Sequence, residues 1–398
     1  MSPAQTLRDA LPRPSTTAAD TKPPILFLAE GDPETWNSFS GCSRAAVHAM
    51  RAHGRDVRTA DADLYGASNA LAKLLTFWPS RERWVHRYHA GAPGFRLRTK
   101  RARVAVSGHP DGAPVIQAGA TFDSCTGRHP LFILADANAA FAARGGPYGP
   151  LSHLTSRELG AVIRRERHVY QKATAIFTFT DGLRRSFIED FAVDPARVVT
   201  TFAGPNLPYV PNEADLRTPK ATHPTILFIG RQFDRKGGPT LVEAFARVRA
   251  AIPHARLVIA GCEPPLTYSE GIEVLGLVRR DDPTERGLRH LFLTSDVYCM
   301  PSRYEPFGMT FSEAMFHGLP CVGPARYMSE IIDHDRTGWL LSKDDPAELA
   351  SILIDALSDR ERLREMGRAG RAKARDVFTW QRATSLMLDV IDRATGSP

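Results

Sequence analysis

The chain has 398 residues, 43% hydrophobic and 24% charged, with 30 Gly and 30 Pro. That composition suits a globular protein of two or three domains and excludes a disordered polymer, a collagen-like fibre and a coiled coil. No run of about 18 apolar residues exists to cross a membrane, and the formal net charge is +7.

Residues 1–22 are rich in Pro, Ser and Thr and carry Asp9 and Asp20, so they read as a loosely held tail and not as a signal peptide. Beyond them, short apolar runs alternate with longer segments of helical period, which predicts parallel α/β architecture. Strands are expected at 25–29, 114–117, 131–135, 175–179 and 198–202, and helices at 43–53, 156–173 and 182–191. Asp61-Ala62-Asp63 has the spacing of a metal-binding Asp-x-Asp, but no second ligand cluster accompanies it, and it reads as surface. The excess positive charge is local. Arg81, Arg83, Arg87, Arg96, Arg98, Lys100, Arg101 and Arg103 face Glu82 alone, with Trp84, His86, Tyr88, His89 and Phe95 interleaved. A solvated face, an anionic acceptor and peripheral contact with an anionic membrane through Arg81–Arg103 all stay open. Without zinc-finger spacing or an RNP signature, nucleic acid is set aside as a partner.

Gly204-Pro205-Asn206-Leu207-Pro208 opens a polar stretch that marks a linker, drawn at 208–223 between a first domain at 23–207 and a second at 224–378. The second half repeats the pattern. Strands are expected at 225–229, 256–260, 272–275, 296–300, 321–323 and 339–341, and helices at 239–251, 310–317, 346–357, 360–375 and 381–393. Two doubly wound, Rossmann-like domains facing each other would bind ligands in the cleft outside the carboxyl ends of their strands. Five scattered cysteines without Cys-x-x-Cys fit a reduced, cytoplasmic setting.

Two segments carry the chemistry. In Ile229-Gly230-Arg231-Gln232-Phe233-Asp234-Arg235-Lys236-Gly237-Gly238, two cations leave the end of a strand before a helix opens, Arg231 as a planar fork and Lys236 as a point charge for one anion. In Pro301-Ser302-Arg303-Tyr304-Glu305-Pro306-Phe307-Gly308-Met309-Thr310, a loop carrying Glu305 runs into a helix carrying Glu313. The helix start points backbone N–H groups and partial positive charge into the cleft. Carboxylates flanking an anion site make sense when the ligand has hydroxyls as well as phosphates, and a sugar nucleotide has both.

These residues, with Ala260-Gly261, Asp296, Gly318-Leu319-Pro320, Glu330 and Thr337-Gly338, resemble the nucleotide-sugar domain of GT-B glycosyltransferases, specifically the retaining family 4 ("group 1"). The resemblance runs from about 225 to 395. It implies a hexose moved from a nucleotide-diphosphate sugar to an acceptor hydroxyl in the cleft. No cofactor or metal is implied beyond the donor as co-substrate, and a sugar, lipid-linked or small-molecule acceptor is expected. By it, Arg231 and Lys236 hold the diphosphate, Glu305 the hexose and Glu313 the ribose. The backbone around Gly230, Phe307, Gly308, Met309 and Thr310 lines the site, and Gly261, Leu277 and Val278 cradle the base. Gly41, preceding a helix, lies near the donor phosphate. Asp136 stands where many members carry a His. The segment 379–398 looks like the crossover helix that returns to the first domain. A phosphorylase or epimerase on the same fold, or a non-catalytic nucleotide-sugar-binding module, remains the alternative.

Overall fold

The computed structural model describes residues 22–207, 209–264, 270–279, 284 and 287–396. The expected tail therefore lies, apart from Lys22, outside the described residues, as do Pro208 and residues 397–398. The first sheet holds β1 (Ile25–Ala29), β2 (Val57–Asp61), β3 (Val115–Ala118), β4 (Leu131–Ala135), β5 (Ala175–Thr178) and β6 (Val198–Thr200) in the order β2-β1-β3-β4-β5-β6. The second holds β7 (Thr225–Ile229), β8 (Arg256–Ala260), β9 (Ile272–Val274), β10 (Val297–Cys299), β11 (Cys321–Pro324) and β12 (Gly338–Leu341) in the order β12-β11-β10-β7-β8-β9. Every pairing between these strands is parallel. The expected pair of doubly wound α/β sheets is the fold of the chain.

Central strands such as β1, β4 and β7 are buried along their whole length, which is why they read as unbroken apolar runs. The sequence reading missed β2. Its Val-Arg-Thr-Ala-Asp is an edge strand with only Val57 buried, so no apolar run announces it. Helices were missed as well, among them Gly66–Leu75, Arg81–Ala90 and Ala92–Ser107, inserted between β2 and β3. The first buries Ala72 alone and the second buries nothing, so neither shows a helical stripe. The basic stretch is also not one surface. Arg98 is fully buried, 2.7 Å from Glu30 and 3.5 Å from Asp63. Arg83 lies 3.3 Å and Arg87 3.6 Å from Glu158, and Arg103 lies 2.8 Å from Asp123.

One continuous apolar core joins the two sheets. At the junction Phe179 meets Phe39, Phe307 and Trp380, and Phe378 meets Phe202 and Phe307, with ring centroids 5.6–6.2 Å apart. The helix Trp380–Thr395 crosses back and packs on the helix Cys42–Ala52 of the first half. Arg55 and Lys22 both pair with its Asp392, at 2.6 and 2.7 Å. No helix among the described residues is long and apolar enough to cross a membrane.

Candidate functional site

Strand order reverses between β7 and β10 in the second sheet, and the loops leaving these two strands carry the charged motifs. A reversal point of this kind opens a crevice at the carboxyl edge of a parallel sheet. The loops are pressed together. A Cβ at Gly237 (φ +76°) would sit 1.9 Å from the Pro301 carbonyl oxygen, so only glycine fits there. Arg235 donates to the Tyr304 carbonyl at 2.7 Å, and the Arg303 N–H donates to the Arg235 carbonyl at 2.9 Å.

This contact brings Lys236 Nζ onto Glu305 Oε2 as a buried ion pair, with Ser302 Oγ 3.5 Å from the same oxygen. Burial pulls the Lys236 ammonium below its ordinary value, and the Glu305 charge opposes that pull. Arg231 is exposed and makes no ion pair among the described residues, so its guanidinium is available to a ligand. Gly230 lies under Lys236, where a Cβ would meet Lys236 Cγ at 3.0 Å. Glycine also ends β8, since a Cβ at Gly261 (φ +90°) would press on the Gly230 backbone at 3.2 Å.

The helix Met309–Phe316 starts from Gly308 (φ +76°), which offers no capping side chain. A Cβ there would meet Phe311 at 2.7 Å and Met328 Sδ at 3.0 Å. The first N–H groups of this helix are thus left for a ligand at its positive end. Phe307 turns its ring into the aromatic junction, and Thr310 Oγ1 accepts from the Tyr298 hydroxyl at 2.6 Å, so both offer the crevice backbone more than side chain. Met309 is half-buried against the core. Val278 packs there too, while Leu277, just past β9, is 75% exposed.

From the opposite domain, Asp136 follows β4. Its carboxyl is pushed up to about 6 by burial and by the Glu305 charge, against the pull of the N–H groups of Asp136 and Ala137. The two carboxylates therefore sense each other across the cleft. Tyr304, missed in the sequence, belongs with them. It is 2% exposed, its ring lies 6.5 Å from Phe141 and 5.8 Å from Tyr327, and its hydroxyl has no hydrogen-bond partner among the described residues. Burial, Asp136 and Glu305 all push that phenol up.

Gly41 and Glu313 meet through a residue read only as linker. Asn206 donates its backbone N–H to Glu313 Oε1 at 3.2 Å and its side-chain amide to the Ser40 carbonyl at 2.6 Å. Glu313 is fully enclosed. Gly41 is left-handed (φ +84°), and a Cβ there would lie 2.9 Å from the Trp36 ring. Phe39 and Ser40 before it are left-handed too, at φ 48° and 55°, despite their side chains.

Glu330 spans the domains differently. Its two carboxylate oxygens accept from the N–H groups of Asp181 (2.6 Å) and Gly182 (2.7 Å), at the start of the helix Asp181–Phe191. Asp61 and Asp63 are not the surface pair expected. Asp61 Oδ1 accepts from the N–H groups of Gly31 and Asp63, and Asp63 faces Arg98, so they shape the loop after β1. No group of three or more metal-type ligands occurs among the described residues.

Residues 223–359 match the family described as "Glycosyl transferases group 1". Among curated relatives, the chain is 25% identical over 239 residues to MMP alpha-(1->4)-mannosyltransferase of Mycolicibacterium hassiacum, covering 58% of this chain and 57% of that protein. It is 29% identical over 259 residues to D-inositol 3-phosphate glycosyltransferase of Xylanimonas cellulosilytica, covering 59% and 60%. Each alignment thus spans under two thirds of the relative. Solved structures match over nearly the whole chain. Sucrose-phosphate synthase from Thermosynechococcus elongatus superimposes with a TM-score of 0.70 at 18% identity, over 94% of this chain and 100% of that one. Anabaena HepE in complex with UDP-glucose does so with 0.62 at 15% identity, over 93% and 100%. The two facing sheets are thus the GT-B fold, and the stretch 223–359 that bears Arg231, Lys236, Glu305 and Glu313 carries the group 1 glycosyltransferase pattern.

Proposed function

We propose that this protein is a retaining glycosyltransferase that moves a hexose from a nucleotide-diphosphate sugar to an acceptor hydroxyl. The observation that carries the reading is a single crevice where an available guanidinium, a buried Lys236–Glu305 pair and an uncapped helix start lie opposite Asp136. The relatives named as mannosyl and inositol-phosphate glycosyltransferases, and the neighbour solved with UDP-glucose, support it.

In this reading the bond from the anomeric carbon to the diphosphate oxygen breaks, and its electron pair leaves with the diphosphate. Arg231, Lys236 and the N–H groups after Gly308 stabilise that charge, a task they can perform without a divalent metal. The acceptor oxygen attacks from the leaving-group face, and its proton passes to the departing phosphate. Glu305 fixes both the ammonium of Lys236 and the hexose hydroxyls, while Asp136 orients the acceptor hydroxyl or a donor hydroxyl beside it. Glu313 belongs to the ribose end, and Leu277 offers the base an apolar wall.

A melting-temperature panel with UDP, GDP, ADP and their hexose conjugates identifies the donor, and transfer is then followed with two variants. Arg231→Ala should lower kcat/KM by about 10²–10³ with an unchanged melting temperature, because the side chain is exposed and unpaired. Lys236→Met should lose a similar factor and also about 3 kcal/mol of stability, since Glu305 stays buried without its counter-ion. No stabilisation by any nucleotide, or undiminished transfer in both variants, would sink the reading.

A further inference from the structure

The helix Gly66–Leu75 is inside out. Of its ten residues only Ala72 is buried, while Leu71, Leu74 and Leu75 are 45%, 73% and 56% exposed. Spaced three and four apart, these leucines share one solvent face. The turn that follows adds Phe77 at 60% and Trp78 at 37%. Of the twelve large apolar residues exposed among the described ones, seven fall between residues 65 and 85. Scattered apolar residues need no explanation, but a cluster on one projecting element does.

Charge says what covers it. Residues 65–103 hold nine Lys and Arg against Glu82 alone. Lys73 sits within the leucine tip and Arg81 opens the next helix, both exposed and without an ion pair among the described residues. The guanidiniums of Arg83 and Arg87 lie over the Trp78 ring at 4.2 and 4.8 Å. A second copy would set the exposed cations Lys73 and Arg81 against their own counterparts. A nucleic acid would satisfy the charge and leave the leucines in water. An anionic bilayer satisfies both, because leucines enter the acyl boundary while Trp and snorkelling cations stay at headgroup level.

The geometry points to a membrane-docking surface on residues 65–85, which inserts Leu71, Leu74, Leu75 and Phe77 into anionic lipid. The helices Gly66–Leu75 and Arg81–Ala90 follow the carboxyl end of β2, so the surface lies at the edge of the first sheet that also carries Asp136. A docked molecule would open its cleft beside the lipid. This inference does not depend on the transfer reading.

The test is sedimentation of the full chain with phosphatidylcholine vesicles, with and without phosphatidylglycerol. Wild type should bind the anionic vesicles at least about tenfold better than the neutral ones, and lose binding toward about 0.5 M salt. Leu74→Asp with Phe77→Asp should weaken binding by about tenfold or more. Lys73→Glu with Arg81→Glu should weaken it by about fivefold or more per cation. All four side chains are exposed, so both variants should melt with wild type. Absence of wild-type binding to anionic vesicles would overturn the proposal, as would undiminished binding by the Asp variant. A solution mass that doubles with concentration and returns to monomer in Leu74→Asp would assign the patch to a second copy instead.

Discussion

Asp136 and Glu305 stand on different sheets, yet the charge of one raises the carboxyl of the other. With the Asp136 carboxyl pushed up to about 6, its ionised form is lost at mildly acid pH. Transfer should therefore rise through about pH 6 in wild type, and Asp136→Asn should be slower and lack that limb; a pH–rate profile of both proteins checks it. Stability should move the other way. A carboxyl raised on folding prefers its proton, so stability falls as pH climbs from about 4 to 6 and is flat above, by about 3 kcal/mol. Denaturant titrations across that window should show the slope in wild type and its loss in Asp136→Asn. At this scale Arg231, Lys236, Glu305 and Gly308 were legible, because each lies within a few residues of a buried strand and a helix start. Tyr304 sits inside the same motif and was missed, since its surroundings, Phe141 and Asp136, come from far along the chain. Asn206 was noted only as linker for the same reason.

Among the elements, the segment before the helix Cys42–Ala52 is the most demanding. Three successive residues, Phe39, Ser40 and Gly41, take left-handed backbone, which costs about 1–2 kcal/mol at a residue with a side chain. Ser40→Gly relieves one such site but loosens the unfolded chain, so a gain of only about 0.5 kcal/mol is expected in a denaturant titration. Gly41→Ala should lose about 2 kcal/mol or more, from its φ of +84° and the Trp36 ring 2.9 Å away, and should weaken donor binding by displacing the helix start. The strands that the sequence revealed are those enclosed on both faces. The edge strand β2 and the helices Gly66–Leu75 and Arg81–Ala90 stayed hidden because they bury little, and the helix Ala92–Ser107 because the stripe it buries includes the charged Arg98. They are held instead by Arg98 on Glu30, Arg103 on Asp123 and cation–ring contacts such as Arg101 over Tyr65, long-range pairings that no local spacing encodes.

For the molecule as a whole, the doubly wound pair of sheets was readable because the same alternation of apolar strand and helix occurs twice. How the halves are held was readable only in part, from the crossover segment 379–398, whose helix packs on Cys42–Ala52, and from Glu330 as a motif residue. Its carboxylate sits on the positive end of the helix Asp181–Phe191 from across the cleft, a charge-assisted clasp of two bonds at 2.6 and 2.7 Å. Glu330→Ala should raise the open population by about tenfold or more, seen as a larger radius of gyration in solution scattering and a higher donor KM, with little change in melting temperature. Glu330→Gln keeps one acceptor oxygen and should fall between the two. An unchanged scattering curve for Glu330→Ala would mean that the aromatic junction alone holds the halves closed.

The helix Trp380–Thr395 lies on Cys42–Ala52 and buries Met387 and Ile391, while Ala46 and Met50 of the partner helix are fully enclosed. Burial of each large side chain is worth about 1.5–3 kcal/mol. The first sheet thus lacks one of its covering helices until residues 380–395 have been synthesised. On the ribosome the second sheet, contiguous in sequence, can close before the first one is complete. The half that is made first is finished last, and a nascent chain stalled before residue 380 would hold the Ala46 and Met50 face open to chaperones.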